Sequence, residues 1–131
     1  MIWDRDYALG YKVVDHGHAL VIEAINRLNR ARTRTDRDGE VASLLPLLSR
    51  HLTQQFADEE ALLRLLGCPD LGAHAREHAH LLAVLGHLRA EFAAGEEVSS
   101  LLMLNLGCYL VAHLRGTDQD DFARRPHRRA A

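Results

Sequence analysis

The sequence predicts an all-α protein, an up-down-up-down four-helix bundle, on three observations. Apolar residues recur at spacings of three and four along four separate stretches. Leu and Ala abound, while aromatics make up only 5% of the 131 residues. Short polar or Gly/Pro-containing turns separate the stretches. Three-and-four spacing stacks side chains on one helix face, the composition favours helix over sheet, and short connections make consecutive helices antiparallel neighbours.

Residues 1–14 read as an N-terminal arm, with Trp3, Tyr7, Gly10 and Tyr11 and no sustained helical period. Asp15 is placed as the N-cap of the first helix, whose stripe is His18, Val21, Ile22, Ile25 and Leu28 and which ends in the polar turn 33–39. The second helix is placed over 40–66 on Val41, Leu44, Leu45, Leu48, Leu52, Phe56, Glu59 and Leu63. Pro46 falls in its first two turns, where a late start or a kink accommodates it. Gly67-Cys68-Pro69-Asp70 stops that helix. The third is placed over 70–94 with His74, His78, Leu81 and Leu85 on one stripe, and Gly95 closes it. Glu96-Glu97-Val98-Ser99 opens the fourth, which carries Leu102, Leu106, Tyr109, Leu110 and His113, with Gly116 as its C′ residue and 119–131 as a tail. The chain length suits one domain with one core, spanning 1–131.

A formal net charge of −2 gives no basic footprint for nucleic acid, and the short basic run 124–129 reads as a solvated terminus. The N-terminus has no signal-peptide pattern, and the longest apolar stretch, 101–112, is too short to span a membrane. Cys68 and Cys108 form no framework and read as reduced, small apolar residues of a cytoplasmic protein. The outlier is histidine, at nine residues.

His18, Glu59, His74, His78 and His113 each fall on the inward stripe of their helix, and Asp118 follows just beyond. Asp118 is off-face on a continuous helix, but a break at Gly116 returns it to the site. Ionisable faces converging in an apolar core are costly unless something satisfies them. A metal does so: imidazoles and carboxylates suit Fe, Mn or Zn. A lone core histidine is more often simply hydrogen-bonded; six such residues on four inward faces are not independent accidents. His80, His87 and His16 should face outward, and His127 lies in the tail. His51 lies two turns from Glu59 and reads as a rim residue or a supporting one. Ferritin-like di-iron bundles need two Glu-x-x-His motifs; Glu77-His78-Ala79-His80 is one, with Glu77 and His80 away from the His74 stripe. A His-Glu-x-x-His motif, a Gly-rich phosphate loop and a Gly-x-Ser-x-Gly elbow are absent.

These residues together resemble the hemerythrin family, most closely its single-domain bacterial members. Val14-Asp15-His16-Gly17-His18-Ala19-Leu20 is similar to the family's Ile-Asp-x-Gln-His-x-x-Leu opening, and Gln55-Phe56-x-x-Glu59-Glu60 to its His-Phe-x-x-Glu-Glu. Pro69 with His74-x-x-x-His78 resembles Tyr-Pro…His-x-x-x-His, and Tyr109-Leu110-Val111-Ala112-His113 with Asp118 resembles Trp-Leu-x-x-His-x-x-x-x-Asp. The resemblance implies a non-haem di-iron centre that binds O2. It places His74, His78 and His113 on one iron, Glu59 and Asp118 as bridges, and His18 on the second, O2-binding iron. Gln55 takes the position of the remaining ligand, and Phe56 and Leu110 match positions lining the O2 pocket.

The departures are Gln55 for His, Gly17 for Gln and Leu63 for a frequent Met, the last two expected to be tolerated. Gln55 offers only an amide oxygen or a hydrogen bond. Three outcomes stay open: a weaker second site holding iron through His18 and the bridges, an occupied one with an extra open position, or a mononuclear centre. Two functions accordingly remain. One is O2 storage, delivery or sensing. The other is a non-haem iron enzyme that activates O2 or peroxide at the opened site. Neither a substrate nor an oligomeric state is legible.

Overall fold

The computed structural model describes residues 12–31, 36–113 and 117, with side chains from residue 14 onward. Four helices run in order: α1 (Lys12–Ala31), α2 (Arg37–Leu65), α3 (Leu71–Ala93) and α4 (Ser99–Tyr109). Each packs on the next in the chain, and α4 returns to α1. That closed ring is the expected four-helix bundle. The apolar stripes meet in a core built around Ile22, Leu28, Leu44, Leu45, Leu85, Leu102 and Leu106, all nearly inaccessible to water. Among the described residues no helix is long and apolar enough to cross a membrane.

Several boundaries differ from expectation. The first helix already includes Lys12, so Asp15 lies in its first turn rather than at its N-cap. A carboxylate there favours the helix through the dipole, while Val14 reaches a small cluster with Leu63 and Cys68. The second helix also begins earlier, at Arg37, because Asp38 and Glu40 are well placed for its first turn. Glu40 donates its backbone N–H to the Asp36 carbonyl, and its side chain pairs with Arg27 of α1. The charged run read as a turn is therefore partly helix. Pro46 consequently sits in the third turn of α2 instead of the first two. It and Ala42, whose carbonyl loses its usual donor, are both exposed, so water can serve that carbonyl.

Gly67 and Gly95 adopt φ of 72° and 94°, the left-handed conformation that ends α2 and α3 where turns were expected. Beyond Tyr109 the fourth helix widens into π-helical geometry over residues 110–113. Such bulges redirect the face presented by the residues that follow. Gly116, the N-terminal residues 1–11 and the tail lie outside the described residues. Cys68 is buried as expected, whereas Cys108 is exposed on α4.

Candidate metal centre

Four helical positions bring four donors together. Glu59 projects from α2, His74 and His78 from successive turns of α3, and His113 from the widened end of the fourth helix. Their ligand atoms all lie within 4.8 Å of one another, and all four side chains are buried. The cause is the stripe on which each falls: the face that carries leucine elsewhere carries a donor here.

The orientation of two rings is fixed from behind. His78 Nδ1 lies 2.8 Å from Glu60 Oε2, and His113 Nδ1 lies 3.0 Å from Glu77 Oε1. A carboxylate only accepts, so each Nδ1 carries the proton and donates. Each Nε2 therefore offers a lone pair to the interior, and these two nitrogens stand 3.0 Å apart. Two lone pairs at that separation repel unless a proton or a cation lies between them. Two nitrogens about 2.1 Å from one ion and at a right angle to each other stand about 3.0 Å apart. Glu59 Oε1 is 3.9 Å from His78 Nε2. The donor set thus fits a divalent metal: three imidazoles, one carboxylate, and outer carboxylates of the kind that raise ligand basicity.

The surroundings hold this geometry. Phe56 lies flat against His78 with ring centroids 3.9 Å apart, and Tyr109 stacks on His113 at 4.9 Å. His74 meets His78 and His113 edge-on, at 4.7 and 4.5 Å. The Thr117 hydroxyl donates to the Glu77 carboxylate, 2.9 and 2.8 Å from its two oxygens. Gln55 Nε2 donates to Glu59 Oε2 at 3.3 Å.

Glu59, His74, His78 and His113 are brought together as the sequence suggested. His18 is buried on α1 but stands outside this four-residue group. Asp118 lies outside the described residues. Phe56 and Leu110 are both buried. His16, His80 and His87 face outward as expected, and His51 is exposed beside a groove between α1 and α2, away from the centre. Glu77, expected to point away from the site, is instead half-buried against His113. It leaves the His74 stripe, and the flank it occupies is the one that meets the fourth helix. Glu60 and the stacking role of Tyr109 were missed as well. Their signals were present: a carboxylate next to Glu59, and an aromatic one turn before His113.

A groove of about 430 Å³ between α3 and α4 is lined by Arg76, Glu77, His80, Cys108, Tyr109 and His113, among others. It meets His113 on the Glu77 side. Glu59, His74 and His78 are not among its described walls.

The model of the hemerythrin HHE cation binding domain matches residues 9–124. A bacteriohemerythrin of Stenotrophomonas maltophilia is 33% identical over 119 residues, covering 91% of this chain and 77% of the relative. One from Pseudomonas aeruginosa is 29% identical over 118 residues, covering 90% and 76%. One from Methylococcus capsulatus is 26% identical over 121 residues, covering 91% and 92%.

Proposed function

We propose, from the premise that the chain belongs to the hemerythrin family, that its non-haem iron centre binds O2 for storage, delivery or sensing. The observation that carries the metal part is the pair of Nε2 atoms 3.0 Å apart, both turned inward by carboxylates behind them. Iron there would be held by Glu59, His74, His78 and His113. The family resemblance would assign a second ion to His18, Asp118 and the far oxygen of Glu59, and it is that oxygen which Gln55 engages. Iron supplies the one-electron chemistry that O2 binding requires and that no side chain offers.

The chain's own residues would do the rest. Glu60 and Glu77 hold the imidazoles in the ligating tautomer. Phe56, Leu110 and Tyr109 keep the donor side apolar, which suits a small uncharged ligand and excludes water. The groove between α3 and α4 is large enough for a substrate, but its described walls include only one of the four donors. That favours O2 binding over an oxidase acting on a larger molecule.

The test is the optical spectrum of anaerobically reduced, iron-loaded protein before air, after air and after O2 removal. A charge-transfer band that appears and disappears reversibly is expected. Irreversible bleaching with turnover of an added reductant would overturn O2 binding in favour of the enzyme. His74→Ala should lose tight iron binding and keep its helical circular dichroism.

A further inference from the structure

Gly17 and Gln55 stand on different helices, yet the structure makes them one feature. A Cβ built on Gly17 would lie 2.3 Å from Gln55 Cδ, 2.4 Å from Cγ and 2.6 Å from Nε2. Nonbonded carbons are comfortable at about 3.5–4.0 Å, so no L side chain can occupy position 17 while Gln55 keeps this pose. Glycine inside a helix is destabilising, and this one is buried. The bare α-carbon of α1 is the floor on which the Gln55 amide rests.

From that floor the amide reaches Glu59. Its Nε2 is 3.3 Å from Oε2, while Oε1 faces His78 Nε2. A carboxylate only accepts, so the NH2 end of Gln55 must be the end turned toward it. The two oxygens of Glu59 are thereby divided. One looks into the three-histidine group and the other takes a hydrogen bond. A cation approaching Oε2 along the lone pair that the amide occupies would meet amide hydrogens, and admitting it there would require the amide to turn over and give up its bond to Glu59.

We propose that Gly17 and Gln55 are a matched pair that makes this a one-ion centre. Gln55, seated on Gly17, holds Glu59 as a terminal ligand of the ion shared with His74, His78 and His113, and closes the adjoining position to a second cation. Gln55 is a positioning residue and Gly17 is the space it needs. The inference rests on the reading of the four donors as a metal centre.

The experiment titrates metal-free protein anaerobically with Fe(II) and, separately, Co(II). Ions per chain are counted after buffer exchange, and affinity is measured by chelator competition. The parent should retain one ion per chain, and Gln55→His should retain two. Gln55→Ala should weaken the single site about 10–100-fold, the usual effect of losing a partner that orients a ligand. Gly17→Ala should weaken it similarly in the parent but add nothing in the Gln55→Ala background, where the clash is gone. Should Gly17→Ala fail to fold, Gln55→Ala and the double variant, which contain no overlap, decide the matter. Two tightly held ions in the parent, or Gln55→Ala with unchanged affinity, would overturn the pairing while leaving the metal centre intact. No retained ion at all would overturn the metal centre itself.

Discussion

The two ends of the bundle put the same helical stripes to opposite uses. On α3 the inward positions begin with His74 and His78 and continue as Leu81, Leu85 and Leu88. On α2, running the other way, Val41, Leu44, Leu45, Leu48 and Leu52 come first and Phe56 and Glu59 follow. At the leucine end, stability comes from apolar area removed from water, which has no direction and tolerates small shifts. At the histidine end, position depends on hydrogen bonds and ring stacking from Glu60, Glu77, Phe56 and Tyr109. Fold and site are therefore separable: one end carries the free energy of folding while the other carries the orientation of donors.

Substitutions that strike one end at a time test this separation. The largest effect is expected from Leu85→Ala, which removes a fully buried side chain and should lower the unfolding free energy by about 2–5 kcal/mol. Urea denaturation of the metal-free protein measures it, and the folded fraction should bind iron as the parent does. Glu77→Gln should do the reverse. Metal affinity falls about 10–100-fold, while the urea midpoint of the metal-free protein hardly moves because the Glu77 side chain is 42% exposed. A stability loss as large as that of Leu85→Ala would erase the distinction between the two ends.

The smallest effect lies outside both ends. Glu97 accepts hydrogen bonds from the Ser99 hydroxyl and backbone N–H at the start of α4. Those bonds, the hydroxyl's above all, with Arg37 adding a favourable charge, outweigh burial and hold the Glu97 pKa below its ordinary value. A lowered folded-state pKa means the stabilisation is complete above the ordinary carboxylate pKa. It disappears as pH falls through the folded-state value. With Glu97 43% exposed, the contribution is only about a few tenths of a kcal/mol. Glu97→Gln should therefore reduce stability slightly at pH 7, and the difference from the parent should shrink as the pH is lowered, as read from thermal melts at neutral and acid pH.

Much of this was legible in the sequence because helical period places a residue on a face without any knowledge of its neighbours. His74, His78, Glu59 and His113 share their stripes with leucines, and the core follows from the same pattern. Residues that act from the flank were harder. Glu60 and Glu77 leave the stripe and matter only because a ring on another helix turns its Nδ1 toward them. Gly17 was the hardest, because a missing side chain gives no signal until its neighbour is known to fill the space. The early start of α2 was hidden by Arg37, Asp38 and Gly39, which read as a turn by composition although Asp38, like Glu40 after it, suits a first helical turn.

The left-handed glycine at position 67 also orders events in time. It folds α3 back along α2, so Glu59, His74 and His78 belong to a single hairpin whose halves are adjacent in the chain. His113 arrives only with the fourth helix. As the polypeptide leaves the ribosome, three donors can meet before the fourth has been made. The last helix then acts as a latch, completing the donor set with His113 and bringing Thr117 to the carboxylate that holds it.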